Sequence, residues 1–175
     1  MLFGLGNHLG ALVRHGGVMQ GELDAGEGSV AFDRFYAARW TRAVAVARSV
    51  VGSASIAEEL AQEAFLRVHA RWDSLQTPDG YLRSVLMNLC RSHLRRRRLE
   101  QSKAAATQES VLGEPALDET WLATLRLPFR QRAVLVLRYY EDLTEPQIAE
   151  ALGCRLGTVK SAHHRALARL REELV

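Results

Sequence analysis

Apolar residues recur at spacings of three and four from Ser29 to about Arg98, with few breaks, which predicts helix rather than strand. In "VAFDRFYAARWTRAVAVARSVVG" the stripe is Phe32, Phe35, Tyr36, Trp40, Ala43, Val44 and Ala47, the pattern of a helix with one buried face. Gly52 and Ser53 end it. Ser55 is placed to cap a second helix, "IAEELAQEAFLRVHARW", with Glu58 three residues on as its capping-box partner. Ile56, Leu60, Ala64 and Val68 stand one turn apart on that helix, with Phe65 beside them. "DSLQTPDG" reads as a loop by composition. "YLRSVLMNLCRSHLRRRRLE" is a third helix, apolar at Leu82, Val85, Leu86, Leu89 and Cys90 and increasingly basic towards its end.

Periodicity then lapses. "QSKAAATQESVLGEPALDE" is small-residue and acidic, the composition of a flexible linker. A second helical block starts near Thr120: "TWLATLR", then "LPFRQRAVLVLRYYEDL" entered through Pro128. Thr144 caps "EPQIAEAL", where Pro146 is tolerated in the first turn, and a last helix runs from about Gly157 to Glu173. No stretch sustains strand alternation. The fold class is therefore all-α, with two small helical domains joined by a linker. Residues 1–28 read as a flexible N-terminal extension, 29–100 as the first domain, 101–119 as the linker and 120–175 as the second.

The second domain contains a helix-turn-helix pattern. Counted from Glu145 as position one, Ala149 falls at five, Gly153 at nine and Val159 at fifteen. Ala lets two helices approach, Gly accepts a left-handed turn, and Val locks one helix on the other. Ile148, Leu152, Ala166 and Leu170 complete the inner face. Thr158, Lys160, Ser161, His164, Arg165 and Arg169 are left outward, donors suited to phosphates and base edges in a major groove. The positive end of the helix dipole at its N-terminus favours the same partner. An ordinary solvated face is the plainer reading of such charge, but here hinge spacing and charge agree independently.

Charge sharpens this picture. The net charge over 175 residues is only +3, yet residues 81–100 carry six Arg against one Glu, while 109–120 carry four acids and no base. Such uneven basicity points to a polyanion, most often nucleic acid. Trp72 and Tyr81 flank the loop ahead of the Arg run and could stack unpaired bases, but core packing is the simpler role for the two aromatics. The two cysteines, Cys90 and Cys154, form no disulfide framework and fit a reducing compartment. No apolar run is long enough to insert in a membrane, and a cytoplasmic location is expected. The N-terminal stretch holds six Gly in its first 21 residues and no base ahead of its apolar part, unlike a secretory signal. Its GxG follows no strand, so it is not read as a nucleotide loop, and Met19 is an alternative internal start.

The chain resembles an extracytoplasmic-function, or group IV, sigma factor of bacterial RNA polymerase, in the sigma-70 family and closest in phrasing to an actinobacterial branch. "AEELAQEAFLRV" is similar to that family's region 2.2, "GYLRSVLMNLCRSHLRRRR" to regions 2.3 and 2.4, and the stretch from Leu127 to Leu174 to region 4. The resemblance implies a region 2 bundle and a region 4 helix-turn-helix. It implies core polymerase as partner, the β′ clamp helices meeting region 2 at Glu59, Gln62, Glu63, Phe65 and Arg67 and the β flap meeting region 4. It implies promoter opening at the −10 element, a flipped single-stranded base held by Leu75, Gln76, Thr77 and Asn88, with Arg83 and Arg91 on the backbone. Arg95, Arg96, Arg97 and Arg98 continue that surface. Duplex −35 DNA would meet Arg155, Thr158, Lys160, Ser161, His164 and Arg165. The linker would thread towards the polymerase active site, and an anti-sigma factor is a further expected partner. Ala162, His163, Arg155 and Glu59 depart from common family residues (Arg, Leu, Pro and Asp), and the first three bear on −35 preference.

Other chemistry finds less support. Cys90 and His93 share a helix face but have no companion pair with ligand spacing, so neither a metal nor any other cofactor is expected. His163 and His164 read as groove or surface residues. Glu58, Glu59 and Glu63 lack a nucleophile or pocket pattern, so catalysis is not expected. A stand-alone helix-turn-helix regulator would account for residues 120–175 and leave the Arg block and "AQEAFLRV" unused.

Overall fold

The structure, a computed structural model, describes residues 21–103 and 119–174. Seven helices occupy them: α1 (Gly21–Val51), α2 (Ala54–His69), α3 (Pro78–Lys103), α4 (Glu119–Arg126), α5 (Phe129–Leu135), α6 (Glu145–Leu152) and α7 (Leu156–Leu174). A 3₁₀ turn covers Trp72–Ser74, and a π-helical turn, Val136–Tyr140, continues α5. No strand occurs among the described residues. The expectations for the linker fall largely on residues 104–118, and those for the first 20 residues fall outside the described part altogether.

Helix α1 begins at Gly21 rather than at Ser29, so the last eight residues assigned to the extension are helical. Its far end comes at Gly52, as the sequence indicates. Gly52 has φ +81°, and its N–H bonds the Arg48 carbonyl at 2.8 Å. A side chain there would meet the Leu125 methyls at 3.2 Å, so glycine is also what lets α4 approach. The cap of α2 is Ser53, not Ser55: the Ser53 hydroxyl accepts from the Ile56 N–H at 3.5 Å, while the Ser55 hydroxyl lies 3.2 Å from that of Ser53. The helix therefore starts one residue ahead of Ser55, too early for Glu58 to close the expected box. "DSLQTPDG" is shorter as a loop than its composition suggests, because Pro78 opens α3 and carries Asp79 and Gly80 into the first turn.

The first three helices pack on small residues. Ala57, Ala61, Ala64 and Val68 of α2 are fully buried, whereas Ile56 and Leu60 are half-buried. The buried line thus departs from the expected stripe by one position at Ile56 and Leu60 and joins it at Ala64 and Val68, because alanines permit the closest helix approach. Phe65 sits under an aromatic cluster, with ring centroids 6.0 Å from Phe35, 4.8 Å from Tyr36 and 5.9 Å from Trp40. Trp72 stacks into the same cluster against Phe32 and Phe35 at 5.3 and 5.2 Å, and Tyr81 packs on the core. Core packing is indeed the role of both aromatics.

Residues Gln131–Leu137 are buried without interruption, so α5 beyond Arg130 and the start of the π turn are enclosed on all sides. One hydrophobic core runs through both helical blocks: Val50, Leu86 and Met87 of the first share it with Ala133, Val134 and Leu137 of the second. Met87 lies outside the stripe of α3 yet is 0% exposed, because it lines the space between the blocks together with Leu137.

Polar contacts bind the blocks further. The Arg132 guanidinium donates to the Val50 carbonyl at the end of α1 and to the Leu125 and Leu127 carbonyls around the end of α4. Arg42 of α1 pairs with Glu141 and donates to the Tyr140 carbonyl. Arg91 of α3 donates to the Leu152 carbonyl at 2.8 Å.

Two stability predictions follow from this packing. Arg132→Lys keeps the charge but not the fork that reaches three carbonyls, and lowers unfolding stability by about 2–4 kcal/mol in urea titrations. Gly153, at φ +58° beyond α6, has no atom within 4 Å of an added Cβ, so Gly153→Ala suffers conformational strain alone, about 1–2 kcal/mol. Gly153→Asn costs less in the same titration.

Candidate nucleic-acid interface

The helix-turn-helix is built as its spacing requires. The Thr144 hydroxyl and Gln147 side chain form a capping box at the start of α6, with Pro146 in the first turn. At the other end Gly153 is left-handed, φ 58° and ψ 46°. The Cys154 N–H closes back on the Ala149 carbonyl at 2.9 Å, and α7 starts two residues later. Val159, Ala162 and Ala166 face inward and are buried. That leaves Arg155, Lys160, Ser161, His164 and Arg165 exposed and Thr158 half-buried, so five of the six residues expected at duplex DNA share the outer side of α7 and Arg155 stands just ahead of it.

Hydrogen bonds organise that side. The Ser161 hydroxyl donates to the Thr158 carbonyl at 3.1 Å, and Arg165 donates from Nε to the Ser161 carbonyl at 3.1 Å and from Nη2 to its hydroxyl at 3.3 Å. The Arg165 guanidinium is thereby folded along its own helix. Lys160 Nζ lies 3.9 Å from Glu145. His163 Nε2 hydrogen-bonds the Tyr139 hydroxyl at 3.0 Å, linking α7 to the π turn. Ala162, expected as a departure from the family, is 1% exposed and belongs to the core, so its side chain faces away from the outer side.

The basic helix α3 divides its arginines. At 100° per residue, a run of four spreads around the helix instead of making one ridge. Arg96 lines a groove with Glu59, Gln62, Glu63, Leu66 and Arg67 of α2. Arg95, Arg97 and Arg98 line a separate groove against α4 and α5. Arg91 is engaged already, bonded to Leu152 and set 5.6 Å from the Phe129 ring centroid. Arg83 lines the space between the blocks beside Arg39, Arg42, Asp79 and Glu141. Asn88 is exposed, as are Gln76 and Thr77, whereas Leu75 packs against the core. The residues expected at the −10 element thus split into an exposed set, Gln76, Thr77 and Asn88, and a set turned towards the second block, Arg83 and Arg91.

On α2, Glu59, Gln62 and Arg67 are exposed, and Arg67 Nε bonds Glu63 Oε1 at 2.8 Å. Phe65 is 2% exposed and lies beneath this face rather than on it. Leu66 beside it is 52% exposed, the apolar residue of the face that periodicity did not single out. Its off-stripe position between Gln62, Glu63 and Arg67 is the signal that would have found it.

Titratable groups near α3 are tuned by burial. Cys90 is fully buried, which pushes its thiol up to about 12 and leaves it unionised at neutral pH. Burial, then the neighbouring Arg97 and Arg96, hold His93 below the usual imidazole range, so it adds no charge to the basic helix at neutral pH. No group of three or more His, Cys, Asp or Glu among the described residues is arranged to hold a metal, and no described helix is long and apolar enough to cross a membrane.

Comparison with known proteins agrees with this geometry. The family model for sigma-70 region 2 matches residues 35–100, and that for sigma-70 region 4 matches residues 117–170. The RNA polymerase sigma-E factor of Streptomyces coelicolor is 36% identical over 152 residues, covering 82% of this chain and 86% of the relative. The ECF RNA polymerase sigma factor EcfG of Rhodopseudomonas palustris is 36% identical over 136 residues, covering 72% and 75%. Among solved structures, the sigma factor RpoE of Bartonella quintana, in complex with the anti-sigma factor NepR, superposes with a TM-score of 0.68 at 25% identity, covering 82% of this chain and 96% of that one. CnrH, in complex with the cytosolic domain of CnrY, shares the fold with a TM-score of 0.62 at 22% identity, over 83% and 88%. With both of its helical blocks matched in order, the chain belongs to the sigma-70 family, as an extracytoplasmic-function sigma factor of RNA polymerase.

Proposed function

We propose that this sigma factor directs promoter-specific initiation by docking α2 on the β′ clamp helices and region 4 on the β flap, reading the −35 element with α7 and opening the −10 element with α3 and the loop before it. The carrying observation is the outer side of α7, a row of donors entered through the left-handed Gly153. Arg155, Thr158, Lys160, Ser161, His164 and Arg165 meet duplex DNA there, Lys160 and Arg165 turning from their intramolecular partners to bases and phosphates. Glu59, Gln62, Glu63 and Arg67 set the register on polymerase through paired charges. Phe65 supports that helix from within, and Leu66 supplies its apolar contact. Gln76, Thr77 and Asn88 meet the displaced strand, with Leu75 lining the pocket.

Arg83 and Arg91 reach the −10 backbone only when region 4 moves off α3, so promoter engagement includes a parting of the two regions. Separation exposes the carbonyls of Val50 and Leu152 and the apolar surface around Met87 and Leu137, and polymerase and DNA contacts offset that loss. An anti-sigma factor is a natural partner for the packed form, since the Bartonella sigma factor that superposes over both regions was solved with one bound. The same reading puts the protein in the cytoplasm and assigns it no chemistry of its own, the polymerase making the bonds.

Stoichiometric co-elution with core polymerase, and run-off transcription from a −10/−35 promoter, are the direct tests. A stand-alone regulator would do neither. Glu63→Lys reverses one partner of the Glu63–Arg67 pair and weakens core binding while leaving α7 intact. Lys160→Ala and Arg165→Ala each cost about 1–3 kcal/mol on the cognate −35 sequence and relax preference at the contacted position, read from competition between promoter variants. Arg97→Ala weakens all sequences about equally and lowers the salt slope by about one.

A further inference from the structure

Between the C-terminal half of α3 and the α4–α5 corner lies a groove of about 560 Å³. Arg95, Arg97 and Arg98 line it from region 2; Arg126, Arg132 and Arg169 line it from region 4. No Asp or Glu is among its lining residues. Arg126 has one acidic partner, Glu173 at 3.4 Å, which stands outside the groove. Arg95, Arg97, Arg98 and Arg169 pair with no acid among the described residues. Arg132 is 8% exposed, its two terminal nitrogens bond carbonyls, and its Nε–H is buried without an acceptor. Buried donors left open in this way are uncommon in native structures.

Like charges converging on one groove repel, and the repulsion grows as water is excluded. A counter-anion relieves it, and guanidinium forks match phosphate oxygens two at a time. The volume is that of a small-molecule site, which typically spans about 300–1,000 Å³. Leu94, Leu127 and Phe129 add an apolar wall beside the charges. We propose that this groove is a binding site for a small anion carrying two or more phosphate groups. Because its walls come from both regions, the bound anion ties them together in the packed form. It also occupies Arg95, Arg97 and Arg98, so it opposes promoter engagement. That last consequence rests on the −10 assignment above, whereas the binding itself does not.

Calorimetry on the full chain at fixed ionic strength, with inorganic triphosphate and adenosine 5′-triphosphate as separate probes, tests the site. One saturable site is expected. The double variant Arg126→Gln, Arg169→Gln is expected to weaken it at least tenfold. Arg34→Gln, Arg130→Gln removes the same charge from exposed positions outside the groove and should shift affinity less than twofold. Equal affinities for the two probes identify the phosphate chain as the recognised part, and a tighter nucleotide adds the apolar wall to the site. Equal weakening in both double variants would mean diffuse charge attraction and overturn the proposal, as would no binding of either probe. It also falls if the groove variant loses as much affinity for a short unrelated DNA duplex as for triphosphate, since the groove would then be a DNA track.

Discussion

The arrangement of this protein depends on one side chain placed where a helix ends. The last carbonyls of α1 find no N–H donor within the helix, and Arg132 meets that of Val50 while also holding the Leu125 and Leu127 carbonyls. The guanidinium thereby joins the C-terminus of one helix to the turn that follows another, across the boundary between regions 2 and 4. Burial lowers its pKa to about 10, still far above neutrality, so it remains the cation that those three dipoles require. Around it the rest of α5 beyond Arg130 is enclosed, and the apolar core passes through both regions without a break. An all-α chain that reads as two tethered modules becomes one packed body through this contact and its neighbours, Arg42 with Glu141 and Arg91 with Leu152.

The two regions therefore present their surfaces unequally. The face of α2 and the outer side of α7 point to solvent while the regions are packed. Part of the basic helix does not: Arg91 and Arg83 are turned towards region 4, and Arg95, Arg97 and Arg98 look across a groove at other arginines. Arg96, one residue along the same run, belongs instead with the charged residues of α2. Helical pitch alone produces this division. A stretch that is a single basic block in one dimension becomes three environments when wound at 3.6 residues per turn.

Legibility in the sequence follows from how local each cause is. The helix-turn-helix could be read to the residue because Thr144, Ala149, Gly153 and Val159 act within a few turns of one another. The end of α1 at Gly52 was legible for the same reason. The choice between Ser53 and Ser55 as a cap was not, since either serine suits the position and the outcome turns on one residue of register. Met87, Arg132 and Arg91 were opaque for a deeper reason. The partners that tie them across the two regions, Leu137, Val50 and Leu152, lie tens of residues away, and no local period records them. Buried alanines on α2 were undervalued because side-chain size, not helix proximity, drove the reading of the stripe. Leu66 shows the converse: an apolar residue off the stripe marks a surface, and the pattern contained that information.

The π turn at Val136–Tyr140 carries a consequence of its own. A π turn holds one residue more than the α-helical turn it replaces, so everything beyond it is rotated by roughly a quarter circle relative to a regular continuation of α5. Tyr139 and Tyr140 are exposed at the end of this turn, and through His163 and Arg42 the two rings hold on to α7 and α1 respectively. The helix-turn-helix of α6 and α7 thus hangs from a turn with one surplus residue, and a deletion there would shift the frame that carries both helices while leaving every residue on the outer side of α7 unchanged.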